Sequence, residues 1–315
     1  MNALREALSD YIAVRRALGS KLQGPAAELS HFLDFLEKDG ATFITTELAL
    51  CWAQQPVGVR RAYWSQRLTA VRGFATWLHA FDPRTEIPPK GILKGYYLRS
   101  SPYIFTPEEI DRLMAEIDQR RSPKDLRDLA IRTVLGLLAA TGLRPGEAVA
   151  LDAADVDLHD GILSIRNTKF GKSRLVPVDG STQIELAAYA CQRDQLCRRK
   201  PCVAFFIDEG GERLKARTVR WVFGNLTRHV GMRAPAQGHK LGKGPRLMDF
   251  RHTFATTRLI EWYRRGTDVS RALPALSTYL GHVSIAHTYW YIEAVPELLL
   301  LATEASSVRQ QGGVR

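Results

Sequence analysis

Little in this chain suits a disulfide scaffold, a membrane protein or a metal enzyme. Its 315 residues hold four cysteines. Cys51, Cys191, Cys197 and Cys202 form no Cys-x-x-Cys pair and have no histidine nearby at zinc spacing. That pattern points to reduced thiols in a cytosolic protein. No segment approaches the roughly 18 apolar residues of a membrane span, and Met1-Asn2-Ala3-Leu4-Arg5-Glu6 lacks the apolar core of a signal peptide. Leu298 to Leu301 is apolar but short, and reads as part of a buried or partner-facing helix. The loop Gly238-His239-Lys240-Leu241-Gly242-Lys243-Gly244 lacks the Lys-Ser/Thr spacing of a P-loop, which argues against nucleotide binding. Asp125 and Asp128 could share a helix face, but Lys124 and Arg127 beside them read as surface ion pairs, not a metal site.

What the chain does have is positive charge. The formal net charge of +11 and a pI near 9.7 favour a polyanionic partner. With 45% hydrophobic residues it can build real cores, and its length predicts two domains. Residues 3 to about 80 read as wholly helical, from apolar steps of three and four in Leu4-Leu8-Tyr11-Ile12 and Leu29-Phe32-Leu33-Leu36. Four or five short helices, the last over Val59 to His79, make a small domain of residues 1–85. Prolines and basic residues across 86–102 predict an extended linker. Thr106-Pro107-Glu108-Glu109 then opens a helix, with threonine as cap and proline in the first turn. The second domain, 103–304, mixes helix and strand. Leu126 to Ala140 reads as a buried helix. Ile162–Ile165 and Arg174–Val178 read as strands of a hairpin, with further helices near 181–199, 216–230, 250–265 and 271–280. Residues 305–315 read as a flexible tail. The fold class expected is mainly α with a small β-sheet.

The chemistry concentrates near the C-terminus, in Leu280-Gly281-His282-Val283-Ser284-Ile285-Ala286-His287-Thr288-Tyr289-Trp290-Tyr291. Two earlier segments add charge: Thr141-Gly142-Leu143-Arg144-Pro145-Gly146-Glu147 and Asp249-Phe250-Arg251-His252-Thr253. A tyrosine, two arginines and a histidine are the parts needed to attack a phosphodiester without metal: a phenol oxygen as nucleophile, and guanidinium forks on the non-bridging oxygens. Arg144 falls where a helix breaks at Gly142 and restarts near Pro145, so its fork can project, and Glu147 one turn on can hold it. Each element also has a plainer reading, as a surface ion pair, a solvated turn lysine or a structural histidine.

These boxes resemble the tyrosine recombinase (phage integrase) family, of the Xer-like, mobile-element type. The resemblance covers nearly the whole chain and rests on Thr-Gly-Leu-Arg-x-Gly-Glu, the lysine hairpin ending Arg-Leu-Val-Pro-Val, Arg-His-Thr-Phe-Ala-Thr, and Leu-Gly-His followed by the spaced tyrosine. It implies a helical, SAM-like core-binding domain followed by an α+β catalytic domain. It implies Tyr291 as nucleophile, Arg144 and Arg251 as the two family arginines and His282 as a phosphate donor. It also implies Lys169 as general acid for the leaving 5′ oxygen, with Lys172 in the same turn as a rival. His252 reads as structural, and Tyr289 and Trp290 as packing. One position departs from the pattern: the family's histidine three residues before the second arginine is here Met248, which can neither accept nor donate a proton. Asp249, His252, His239 or water could fill the vacancy.

The implied partner is double-stranded DNA with inverted-repeat sites, bound by a homotetramer or with related recombinases, without metal or other cofactor, in the bacterial cytoplasm at the nucleoid. Pro296 to Ala305 could then dock into a neighbour. Arg60, Arg61, Arg67, Lys172, Lys240 and Lys243 are candidate DNA contacts. Two alternatives stay open: a catalytically impaired, DNA-binding accessory protein, and a type IB topoisomerase using the same chemistry.

Overall fold

Leu29, Phe32, Leu33 and Leu36 line one stripe of a helix, and that stripe is buried in the computed structural model, which describes residues 2–20, 22–93, 101–120, 125–166, 173–197, 202–235 and 242–312. The chain divides into two compact units, Met1–Ser100 and Ser101–Arg315.

The first unit is built from α1 (Asn2–Ala17), α2 (Gln23–Asp39), α3 (Thr46–Gln54) and α4 (Arg61–His79). Gly40 ends α2 in the left-handed conformation at φ 73°, and the Thr45 hydroxyl caps α3 by accepting from the Leu48 N–H. Tyr11, Phe32, Trp52, Leu68, Val71 and Phe74 fill the core between them. Two expectations are corrected here. Arg67 is not a free DNA contact. It is only 8% exposed, its guanidinium lies 3.7 Å above the Trp52 ring, and Glu28 is 3.6 Å away. Its position on the same helical stripe as Val71 and Phe74 carries it inward, and its alkyl stem and charge are used inside the unit. Arg60 and Arg61 remain exposed.

The second correction concerns the linker, which from residue 86 as far as Leu93 is docked on this unit. Glu86 donates its N–H to the Ile44 carbonyl and accepts from the Thr46 N–H with its carboxylate. Arg72 donates to the carbonyls of Pro88 (2.6 Å) and Pro89 (3.0 Å), and Leu93 packs on the core. Prolines hold this backbone extended with carbonyls unpaired, and one arginine collects them.

The second unit runs α5 (Pro107–Arg120), α6 (Leu126–Thr141), α7 (Pro145–Ala150), β1 (Val156–Asp157), β2 (Ile162–Ile165), β3 (Arg174–Pro177), α8 (Gly180–Leu196), α9 (Ala216–His229), α10 (Leu247–Arg264), α11 (Val269–Leu280), α12 (Ala286–Ala294) and α13 (Pro296–Gly312). Helix α6 is apolar nearly all round because α5, α8 and α10 pack on it from different sides. Asp125 caps its start by accepting from the Asp128 N–H, which gives that carboxylate a structural use. The three strands form an antiparallel sheet in chain order, with Leu163 opposite Val176 and Ile165 opposite Arg174. Strand β1 has two residues, too few to show a period-two pattern in the sequence. Phe105, Phe223 and Phe250 form an aromatic centre, with Phe105 stacked on Phe250 at 4.6 Å.

A separate apolar cluster joins α10 to α13, through Ala255, Leu259, Leu273, Leu276, Leu280, Tyr291 and Leu298. Helix α13 packs on α10 and α12 of its own chain. Its backbone helix continues to Gly312, through most of the stretch expected to be a flexible tail. No helix among the described residues is long and apolar enough to cross a membrane.

The buried setting of Arg67 is testable by urea unfolding. Arg67→Ala should cost about 1–3 kcal/mol of stability in the first unit, through lost packing and cation–π contact. Arg61→Ala should stay within about 0.5 kcal/mol. Equal, small effects of the two would put Arg67 back on the surface.

Candidate active site

Helix α6 stops at Gly142, whose φ of 62° and close approach to Phe254 (a Cβ would lie 2.8 Å from that ring) leave room for glycine alone. The chain turns, and Pro145 starts α7 with Arg144 at its cap. The Arg144 N–H donates to Glu147 Oε2 at 3.1 Å and its guanidinium donates to Oε1 at 2.7 Å. Glu147 also accepts from Arg174, the first residue of β3, at 2.8 Å. Burial pushes the Glu147 carboxyl up, but Arg174 and then Arg144 outweigh it and hold it below the usual carboxylate range.

Arg144, Arg251 and Arg174 meet at one place, the C-terminal end of α11. Arg174 Nε donates to the Tyr279 carbonyl (2.8 Å), Arg251 Nη2 to the Leu280 carbonyl (2.7 Å), and Arg144 Nη2 to the Gly281 carbonyl (3.2 Å). Arg251 also donates to the Gly142 carbonyl at 3.0 Å, tying the end of α6 to the end of α11. Carbonyls at a helix C-terminus lack helical partners and carry the negative end of its dipole, so cations collect there. Arg251 is 2% exposed, and burial, then the charge of Arg144, lower its pKa to about 10, which leaves it charged at neutral pH.

Gly281 closes α11 at φ 70°, and a Cβ there would lie 2.8 Å from Arg174 Nη1. Its N–H bonds to Thr278 and the His282 N–H to Ser277, the paired bonds of a Schellman motif. That motif fixes where His282 begins. Its Nδ1 lies 2.8 Å from the Thr288 hydroxyl of α12. Burial first, then the charges of Arg251 and Arg144, push the His282 pKa down to about 3, so the ring is neutral at physiological pH. The ring lies nearly parallel to that of Tyr291, 6.1 Å between centroids. Tyr291 is 2% exposed and acts electrostatically on Arg251. Arg144, Glu147, Arg251, His282 and Tyr291 are therefore gathered in one place.

The remaining candidates separate. Lys169 and Lys172, between β2 and β3 in the sequence, and Lys240 and His239, ahead of α10, fall outside the described residues. Lys243 is exposed, in a loop held by Arg233, which donates to the carbonyls of Gly242 and Pro245. Met248, half-buried, is the second residue of α10. Asp249 is committed to Arg246, accepting from its N–H at 2.6 Å and its guanidinium at 3.0 Å. His252, one turn beyond Met248, lies against Trp290 (5.3 Å) and Tyr291 (5.5 Å). Of the described residues weighed for the vacancy at Met248, His252 is the one beside the phenol.

Sequence reasoning passed over Arg174 and Thr288. An arginine opening a strand that otherwise reads as apolar was the available signal for the first. The second had none beyond its place one turn before Tyr291.

The family model described as the phage integrase family matches residues 104–297. The integrase/recombinase y4rB of Sinorhizobium fredii (strain NGR234) is 43% identical over 95% of each chain. The tyrosine recombinase XerC of Roseiflexus sp. (strain RS-1) is 32% identical over 72% of this chain and 66% of its own. Among solved structures, the Tn1549 transposon integrase in complex with transposon right-end DNA aligns with a TM-score of 0.66 at 15% identity, covering 98% and 99% of the two chains. The XerH recombinase bound to difH substrate aligns at 0.62 and 19% identity, covering 91% and 78%. At these identities the structural likeness is one of fold.

The Glu147 bridge makes a pH prediction. Its depressed pKa contributes stability that is full above the ordinary carboxyl value of 4.5 and is lost as pH falls through the lower, folded value. Glu147→Gln should therefore lower stability at pH 7, with the gap from wild type closing below pH 4.5. Denaturation midpoints across that range check it, and a gap independent of pH would refute the bridge.

Proposed function

Because the chain belongs to the phage integrase family, we propose that it is a site-specific DNA recombinase that works through a covalent phosphotyrosine. In this reading Tyr291 Oη gives its proton to a base, His252 or water, attacks the scissile phosphorus and forms a 3′-phosphotyrosyl ester. The bond from phosphorus to the 5′ oxygen breaks, and Lys169 gives its proton to that oxygen. Arg144 and Arg251 hold the non-bridging oxygens, and a neutral His282 donates a hydrogen bond to one of them. A 5′ hydroxyl from a second duplex attacks the ester and gives its proton to Lys169, while the departing Tyr291 oxygen regains its own proton from the base that took it. The phosphoester is conserved throughout, so no nucleotide is consumed.

The observation that supports this reading is the convergence of Arg144, Arg251, His282 and Tyr291 from distant segments on the end of α11. Arg144 and Arg174 share the Glu147 carboxylate and Arg251 is held on the Leu280 carbonyl, an excess of positive charge that supports binding of an anionic phosphate. Exposed Arg60, Arg61 and Lys243 are available to the DNA backbone. The relative at 43% identity is named as an integrase/recombinase, which supports strand exchange; the lean toward a mobile element rests on the Thr-Tyr-Trp-Tyr ending of the site. We assign the partner as duplex DNA with inverted repeats, bound by a tetramer at the bacterial nucleoid.

Met248 favours a second reading, an accessory protein that binds DNA and has lost the chemistry. One experiment separates the two. On a nicked suicide duplex, wild type should form a covalent adduct, Tyr291→Phe none, and Tyr289→Phe an adduct like wild type. Met248→His should raise the cleavage rate by up to about 10²–10⁴-fold if the vacant position limits it. No wild-type adduct despite DNA binding would sink the enzyme reading, and an adduct from Tyr291→Phe would sink the assignment of the nucleophile.

A further inference from the structure

We infer that Thr288 is the positioning residue that sets the tautomer of His282, holding its single ring proton on Nε2 so that it can be donated to the phosphate. This rests on the reading above, in which His282 faces the scissile group.

Thr288 is 0% exposed, and its hydroxyl lies 2.8 Å from His282 Nδ1. Other buried threonines of this chain, such as Thr133 and Thr253, turn their hydroxyls back to the carbonyl four residues earlier. Thr288 does not. Among the described residues, its hydroxyl has Nδ1 as its hydrogen-bond partner.

A neutral imidazole carries one N–H, and its second nitrogen is an acceptor. A phosphate oxygen accepts only, so a phosphate-binding histidine must present N–H to it. Two arrangements satisfy the contact at 2.8 Å. If Nδ1 donated, the hydroxyl proton would be buried without an acceptor, at the cost of a lost hydrogen bond. Nε2 would then meet the phosphate with a lone pair. If the hydroxyl donates, both groups are satisfied and Nε2 carries the proton. Protonating the ring on both nitrogens would also supply an Nε2–H, but three guanidiniums and burial oppose that charge.

The same contact couples two parts of the site. His282 is anchored on α11 by the Schellman bonds, while Thr288 belongs to α12 and lies one turn before Tyr291. One hydrogen bond therefore sets both the proton on the donor and the distance from donor to nucleophile helix.

The test has one arm that needs no catalysis. Histidines of the full-length, DNA-free protein are labelled with ¹⁵N, and His282 is assigned from its absence in His282→Gln. Long-range ¹H–¹⁵N spectra should show the Nε2–H form in wild type and in Thr288→Ser, and a mixture in Thr288→Val. On the nicked duplex, Thr288→Val should cleave about 10²-fold more slowly, as for loss of one donor to a developing oxyanion, with DNA affinity retained. Thr288→Ser should recover most of that rate. An Nδ1–H form in wild type overturns the proposal, as does a valine variant that keeps both the Nε2–H form and the wild-type rate. Should the valine variant unfold, the wild-type spectrum decides. If no variant cleaves DNA at all, the recombinase reading fails while the spectra still settle the tautomer.

Discussion

The last carbonyls of α11 are each held by a guanidinium from a different element: Arg174 from β3, Arg251 from α10 and Arg144 from the cap of α7. Without these donors, a helix end inside the protein would leave polar groups unpaired. The arginines in turn need the helix end, because like charges this close repel, and Glu147 and the carbonyl dipoles offset them. Three positive charges against one carboxylate leave the site electropositive and partly closed to water. That is the setting in which a phosphodiester would be bound most strongly. The structural solution for the helix end is thus also, in the proposed reaction, the electrostatic preparation for chemistry.

From that anchored end the chain runs directly into the groups proposed to react. Gly281 fixes the turn, His282 emerges from it, and nine residues later Tyr291 returns against the histidine ring. The phenol is buried beside Leu298 of α13, within the apolar cluster that joins the last helices. His252 flanks it from the face of α10 that also holds Met248. The methionine thus leaves an imidazole within the same surroundings, one turn away along the helix.

Much of this was legible in the sequence where a local pattern and a chemical need coincide. The break at Gly142 followed by Arg144 and Glu147, and the spacing from His282 to Tyr291, both survive as geometry. Helix α6 was readable because it is apolar nearly all round. Reading failed where a polar residue serves the interior. Arg67 looks solvated until its alignment with Val71 and Phe74 is noticed. Arg72 collects proline carbonyls that composition alone assigned to a free linker. Arg174 and Thr288 matter through partners more than a hundred residues away or in the turn that precedes the helix, and contacts of that kind leave no periodic trace. The helix through residues 305–312 likewise continues α13 beyond what a polar, glycine-ended stretch suggests.

The central claim is that a phosphate shares one pocket with Tyr291, Arg144 and Arg251. A structure of the full chain on duplex DNA with vanadate at the scissile position tests it most directly. The account predicts Tyr291 Oη bonded to vanadium, with both guanidiniums and His282 Nε2 about 3 Å from the non-bridging oxygens. Vanadate seated elsewhere, or bound there with Arg144 and Arg251 still on the carbonyls of Gly281 and Leu280 and away from the oxygens, would contradict it.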